Sequence, residues 1–223
     1  MTRVQFVRWV LKPAVFAASL APLGVLVRDA LTGGLGANPV EEITHRTGLT
    51  AITFLTLTLA VTPASQLLGA GWLVRLRRML GLFAFTYAVL HFLMYVADQT
   101  WLAGQGLSLA LVAEDVAERP YITVGFSAFL LLVPLAVTST RGWVRRLGGK
   151  RWQRLHQLVY VAAAGAVFHF LWLVKADTRR PALYGGALVL LLGYRLARRR
   201  AARRRRTASI PAPAAPEEFT ARG

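Results

Sequence analysis

Apolar runs of nearly bilayer length recur along this chain, at roughly 11–31, 45–68, 79–97, 121–139, 153–174 and 181–197. A helix rising 1.5 Å per residue needs about 20 apolar residues to cross a hydrocarbon core of ~30 Å. The runs therefore predict an all-α integral membrane protein, a six-helix transmembrane bundle. With 223 residues, 55% of them hydrophobic, and a mean hydropathy of +0.46, the chain is too apolar for a soluble domain of its size. The first run follows Arg3, Arg8 and Lys12 as a signal peptide would. It is read as an uncleaved helix, because Pro13, Pro22 and Arg28 interrupt it and no small-residue cleavage site follows.

Orientation follows from the basic residues. With the N-terminus in the cytoplasm, residues 1–12, 69–78, 140–154 and the tail from Arg195 carry 21 of the 27 Lys and Arg. Eight of the ten acids fall on the opposite side. The expectation is N-in, C-in. The net charge of +17 lies in these connections rather than on one face of a folded domain, which argues against nucleic acid as a partner. The longest outer loop, Asp98 to Arg119, carries Trp101, Leu107, Leu109 and Leu111 and is expected along the interface. The arginine-rich run after Arg195 and the Pro/Ala-rich end read as a disordered tail at anionic headgroups, without a specific ligand. With no cysteine there is no disulfide, thiolate metal site or cysteine-ligated cluster.

The chain echoes itself. Leu59-Ala60-Val61-Thr62 and Leu135-Ala136-Val137-Thr138 each end an apolar run, Arg78 and Arg154 open the next, and His91-Phe92 and His169-Phe170 follow. Two hairpins related by an axis along the membrane normal would bring His91 and His169 face to face at similar depth. Paired imidazoles on facing helices suit a haem, which places it between the third and fifth spans. Gly81, Ala84, Ala88, Gly165 and Ala166 either leave room for the macrocycle or serve helix packing. His156 lies thirteen residues before His169, about 20 Å along the axis, too far to share one metal with it. Its role stays open between a second haem with a non-histidine partner, a quinone or flavin site, and a plain interfacial position. His45 is expected to open the second helix in an interfacial or capping role. Arg75, Arg77, Arg78, Arg151 and Arg154 suit propionate, flavin phosphate or quinone contacts, and equally lipid phosphates and topology. No Gly-rich dinucleotide fingerprint follows a strand.

The stretches HRTGLTAITFLTLTLAVTP, RRMLGLFAFTYAVLHFLMYVADQ, RPYITVGFSAFLLLVPLAVTS and WQRLHQLVYVAAAGAVFHFLWLVK resemble the MsrQ (YedZ) family, haem-binding membrane subunits of the periplasmic methionine sulfoxide reductase system. More broadly, they resemble the ferric-reductase-like transmembrane superfamily. The likeness implies a core over 40–180, preceded by a segment 1–39 with the first span and followed by a last span, 181–197, and the tail, 198–223. It implies haem b, one or two per chain, with His91, His156 and His169 associated with it, and FMN. It also implies electrons drawn from quinol in the bacterial inner membrane and passed to MsrP, a periplasmic molybdopterin enzyme. Relatives in the superfamily carry two histidines on each of two helices, and many add a flavin and nicotinamide domain. This chain lacks one histidine on the third span, and no such domain is expected of it. Two other readings fit the residues: a cytochrome b anchor for another oxidoreductase or metal reductase, and a small transporter or assembly protein whose histidines relay protons.

Overall fold

The computed structural model describes residues 2–102, 104, 106, 108–174 and 177–208. Helices account for nearly all of them: α1 Val4–Thr32, α2 Pro39–Leu67, α3 Gly71–Thr100, α4 Leu109–Glu118, α5 Pro120–Val137, α6 Arg141–Leu147, α7 Gly149–Leu173 and α8 Arg179–Ala208. Among the described residues, five helices are long and apolar enough to cross a membrane: α1, α2, α3, α5 and α7. The chain is a multi-pass membrane protein. α8 is long enough, but its apolar stretch is shorter, closed by Arg180 and Arg195.

The helices outrun the apolar runs because their ends are polar and capped. Asn38 accepts from the Glu41 N–H ahead of Pro39, and Ser108 from that of Leu111, each filling an orphan donor of a first turn. Gly33, at φ 75°, takes the left-handed position that ends α1. α2 is rich in threonine, yet Thr44, Thr47, Thr50, Thr53, Thr56 and Thr58 each donate their hydroxyl to the carbonyl four residues back. No hydroxyl there is left unpaired in hydrocarbon.

Short turns make antiparallel neighbours. α2 packs on α3 and α5 on α7, giving two hairpins side by side, with α8 against α2 and α7. The upper end of the bundle holds the 33–38 turn, α4 and the close of α7. The lower end holds the 68–70 turn, α6 and the start of α7. Phe54 stacks between Phe83 and Tyr87 in the core, with Leu55, Leu59 and Ala163 buried around it. Leu20, Val25, Leu93, Leu130, Val161 and Leu190 face outward, as side chains against lipid tails do.

Two prolines open helix ladders that distant side chains close. Beside Pro22, the Tyr87 hydroxyl accepts from the Leu23 N–H at 3.2 Å and donates to the Ser19 carbonyl at 2.8 Å. It is inserted into a turn of α1. Pro63 has no N–H for the Leu59 carbonyl, and Arg195 Nη2 supplies the donor at 2.7 Å.

One expectation changes. The arginine run after residue 197 is not a disordered tail at its start: α8 runs on as helix to Ala208. An arginine-rich segment keeps good helix propensity, and the preceding apolar turns nucleate it. The Pro/Ala-rich end from residue 209, with Leu107 and Lys175, lies outside the described residues. In the outer loop, α4 forms about half of Asp98–Arg119. Tyr95 donates to Asp115, and Asp115 pairs with Arg119 at 2.9 Å, fastening α4 to α3.

Candidate functional site

A cavity of about 1000 Å³ lies in the upper half between α2, α3, α5 and α7. His91 and His169 both line it, brought together from the two hairpins with ring centres 6.3 Å apart and planes at 76°.

Each ring is fixed the same way. Nδ1 of His91 donates to the Thr44 carbonyl at 2.8 Å, and Nδ1 of His169 to the Tyr121 carbonyl at 2.7 Å. A carbonyl only accepts, so Nδ1 carries the proton and Nε2 is left with the lone pair a metal needs. The carbonyls belong to α2 and α5, so each ring is oriented by the helix beside its own, an outer-shell hold typical of ligand histidines.

Close approach requires glycine. A Cβ on Gly48 would stand 2.8 Å from Nδ1 of His91, and one on Gly125 would stand 2.6 Å from Nδ1 of His169. Each glycine lies four residues after the accepting carbonyl, so its missing side chain opens the path to it. Carbonyl, glycine and histidine thus recur at offsets of 77, 77 and 78 residues. The sequence reading missed these glycines. The signal was a glycine inside each apolar helix, T-G in α2 and V-G in α5, in register with the repeat.

The arrangement fits a metal held between two imidazoles. Two metal–nitrogen bonds of about 2 Å, plus about 1.1 Å from each nitrogen to its ring centre, place the centres ~6 Å apart. Ala84, Ala88 and Ala166 line the cavity and leave space beside the rings. Gly81 and Gly165 do not: Gly81 faces Thr58 and Gly165 faces Ala128, both as helix contacts.

His45 needs correction. It does not cap α2, because Asn38 does so seven residues earlier; His45 lies inside the helix, lines the cavity and faces Phe170 at 6.3 Å. The error came from starting α2 where the apolar run starts. Above it Arg46 joins Glu42 of α2 to Asp29 of α1, at 2.6 Å each.

His156 is elsewhere. It stacks on Trp152 at 3.9 Å, and its Nε2 meets the Thr138 hydroxyl at 3.1 Å, while Trp152 donates to the Thr138 carbonyl. It does not line the upper cavity, and neither do Arg75, Arg77, Arg78, Arg151 or Arg154, all at the lower end. As propionate contacts to a group in this cavity these arginines are misplaced. Arg119 is the arginine that lines it.

Comparison with known proteins agrees with this core. Residues 47–167 match the family described as ferric reductase like transmembrane component. The "Protein-methionine-sulfoxide reductase heme-binding subunit MsrQ" of Xanthomonas campestris pv. campestris (strain 8004) is 52% identical over 212 residues, covering 92% of this chain and 94% of that protein. Proteins of the same description from Xanthomonas oryzae pv. oryzae (strain MAFF 311018) and Herminiimonas arsenicoxydans are 49% and 50% identical, over 93% and 83% of this chain and 95% and 84% of theirs. No solved structure matches. With a ferric-reductase-like core over half its length and half its residues shared with these relatives, the chain belongs to the MsrQ family of the ferric-reductase-like transmembrane proteins.

Proposed function

We propose that this protein is a membrane b-type cytochrome. It carries electrons from the quinone pool to a periplasmic, molybdopterin-containing methionine sulfoxide reductase of the MsrP type. The observation that carries the reading is the His91–His169 pair: two imidazoles, each held at Nδ1 by a helix carbonyl, at the ring separation one metal requires. The relatives' description as haem-binding subunits of a methionine sulfoxide reductase supports it.

His91 and His169 would hold the haem iron through their Nε2 atoms. Thr44 and Tyr121 hold the rings in the right tautomer, Gly48 and Gly125 admit them, and the apolar helices keep bulk water from the metal. Haem supplies one-electron chemistry, while ligands, burial and outer-shell hydrogen bonds tune its potential. The lower end, with its arginines, faces the cytoplasm of the inner membrane, and α8 serves as the sixth span. The cavity then lies nearer the periplasm. The connections are too short to form a catalytic domain, so substrate reduction belongs to the partner. His156 and the five lower arginines serve the quinol side.

Absorption spectra of the detergent-purified protein, oxidised and reduced, with haem counted per chain, test the reading. A low-spin b-type spectrum reducible by a quinol, and reoxidised by the partner with methionine sulfoxide present, is the expected result. Absence of haem after supplementation would instead favour a protein whose histidines relay protons.

A further inference from the structure

Among the described residues, the lower end carries many basic side chains and no acid. Every acid among the described residues, from Asp29 to Asp177, lies at the upper end. At the lower end, α2 and α8 enclose a second pocket of about 200 Å³, lined by Thr62, Gln66, Tyr194, Arg195, Arg198 and Arg199. None of these six is acidic, and no described acid pairs with its arginines. Arg77 of α3 reaches the rim, its Nη1 3.4 Å from the Thr62 hydroxyl.

The pocket is built rather than incidental. Arg195 is held by two partners: Nη1 donates to the Tyr160 hydroxyl, beside whose ring centre the guanidinium lies at 5.3 Å, and Nη2 donates to the Leu59 carbonyl. Its Nε is buried without a partner. Tyr194 meets Gln66 at 3.3 Å, joining the two walls. A full positive charge is therefore held in place beside a concave space, with one N–H unmet and two further arginines on the next turn of the helix.

We propose that this pocket binds a phosphate group carrying net negative charge. A phosphate offers several acceptor oxygens in a compact group, matching guanidinium forks and the Thr62 hydroxyl. The source is either an anionic phospholipid headgroup or a soluble phosphate. The inference is independent of what the histidine cavity holds.

The test is native mass spectrometry of the full chain in detergent, titrated with phosphatidylglycerol, phosphatidylcholine or inorganic phosphate. The variant is Arg198→Gln/Arg199→Gln, which leaves the Arg195 anchor intact; unchanged helical circular dichroism confirms its fold. Saturable one-to-one binding of phosphatidylglycerol over phosphatidylcholine, weakened at least about tenfold in the variant, supports the site with a lipid occupant. One-to-one binding of inorganic phosphate, weakened likewise, with the two lipids indistinguishable, supports it with a soluble occupant. Binding of neither, or equal binding by wild type and variant, overturns it.

Discussion

The Cβ that Gly125 lacks would stand 2.6 Å from Nδ1 of His169. The His169 ring is therefore positioned by a residue on another helix that has no side chain. Gly125→Ala must push the imidazole off the Tyr121 carbonyl or separate α5 from α7. Such overpacking costs about 1–3 kcal/mol, so haem affinity should fall about tenfold or more. Gly48→Ala should act alike through His91. Gly24→Ala, with open space at its Cβ, is the control and should change nothing. Haem content per chain decides among them.

His91→Ala and His169→Ala should each abolish the low-spin spectrum, since each removes one of the two proposed ligands. His156→Ala should leave it in place, because that ring belongs to the Trp152–Thr138 cluster at the lower end. Loss of all haem in the His156 variant would make the lower end part of the cofactor site.

Tyr87→Phe should lower the thermal midpoint by a few degrees without altering the haem spectrum. The hydroxyl bridges an N–H and a carbonyl in the turn that Pro22 opens. Leaving both unmet costs about 1–3 kcal/mol.

Arg195 and Pro63 should be coupled. Pro63→Ala restores an N–H to the Leu59 carbonyl, which relieves the need for Arg195 Nη2. Arg195→Met should therefore destabilise the wild type by roughly 1 kcal/mol more than it destabilises the Pro63→Ala protein. A double-mutant cycle in thermal unfolding reads this directly.

Orientation has a simple test, because the chain has no cysteine. Ser108→Cys, capping α4 at the upper end, should react with a membrane-impermeant maleimide added to the periplasmic side of intact cells. Gly149→Cys at the lower end should react only after the membrane is opened. The reverse pattern would invert the assigned topology.

What the sequence by itself determined is what a one-dimensional pattern carries. The apolar runs at 45–68, 79–97, 121–139 and 153–174 give the helices around the cavity, because lipid requires long apolar helices and little else. The repeat singled out His91 and His169, since equal spacing in two similar hairpins puts residues at similar depth. Tertiary structure decided everything that depends on how helices are rotated about their axes. That includes the carbonyls of Thr44 and Tyr121, the close approach at Gly48 and Gly125, and His45 on the cavity wall rather than at a helix cap. It also includes Tyr87 and Arg195 reaching 64 and 136 residues back to turns opened by prolines. Hydropathy reports which segments leave water; it carries no record of the facing of each side chain, which packing between distant helices sets.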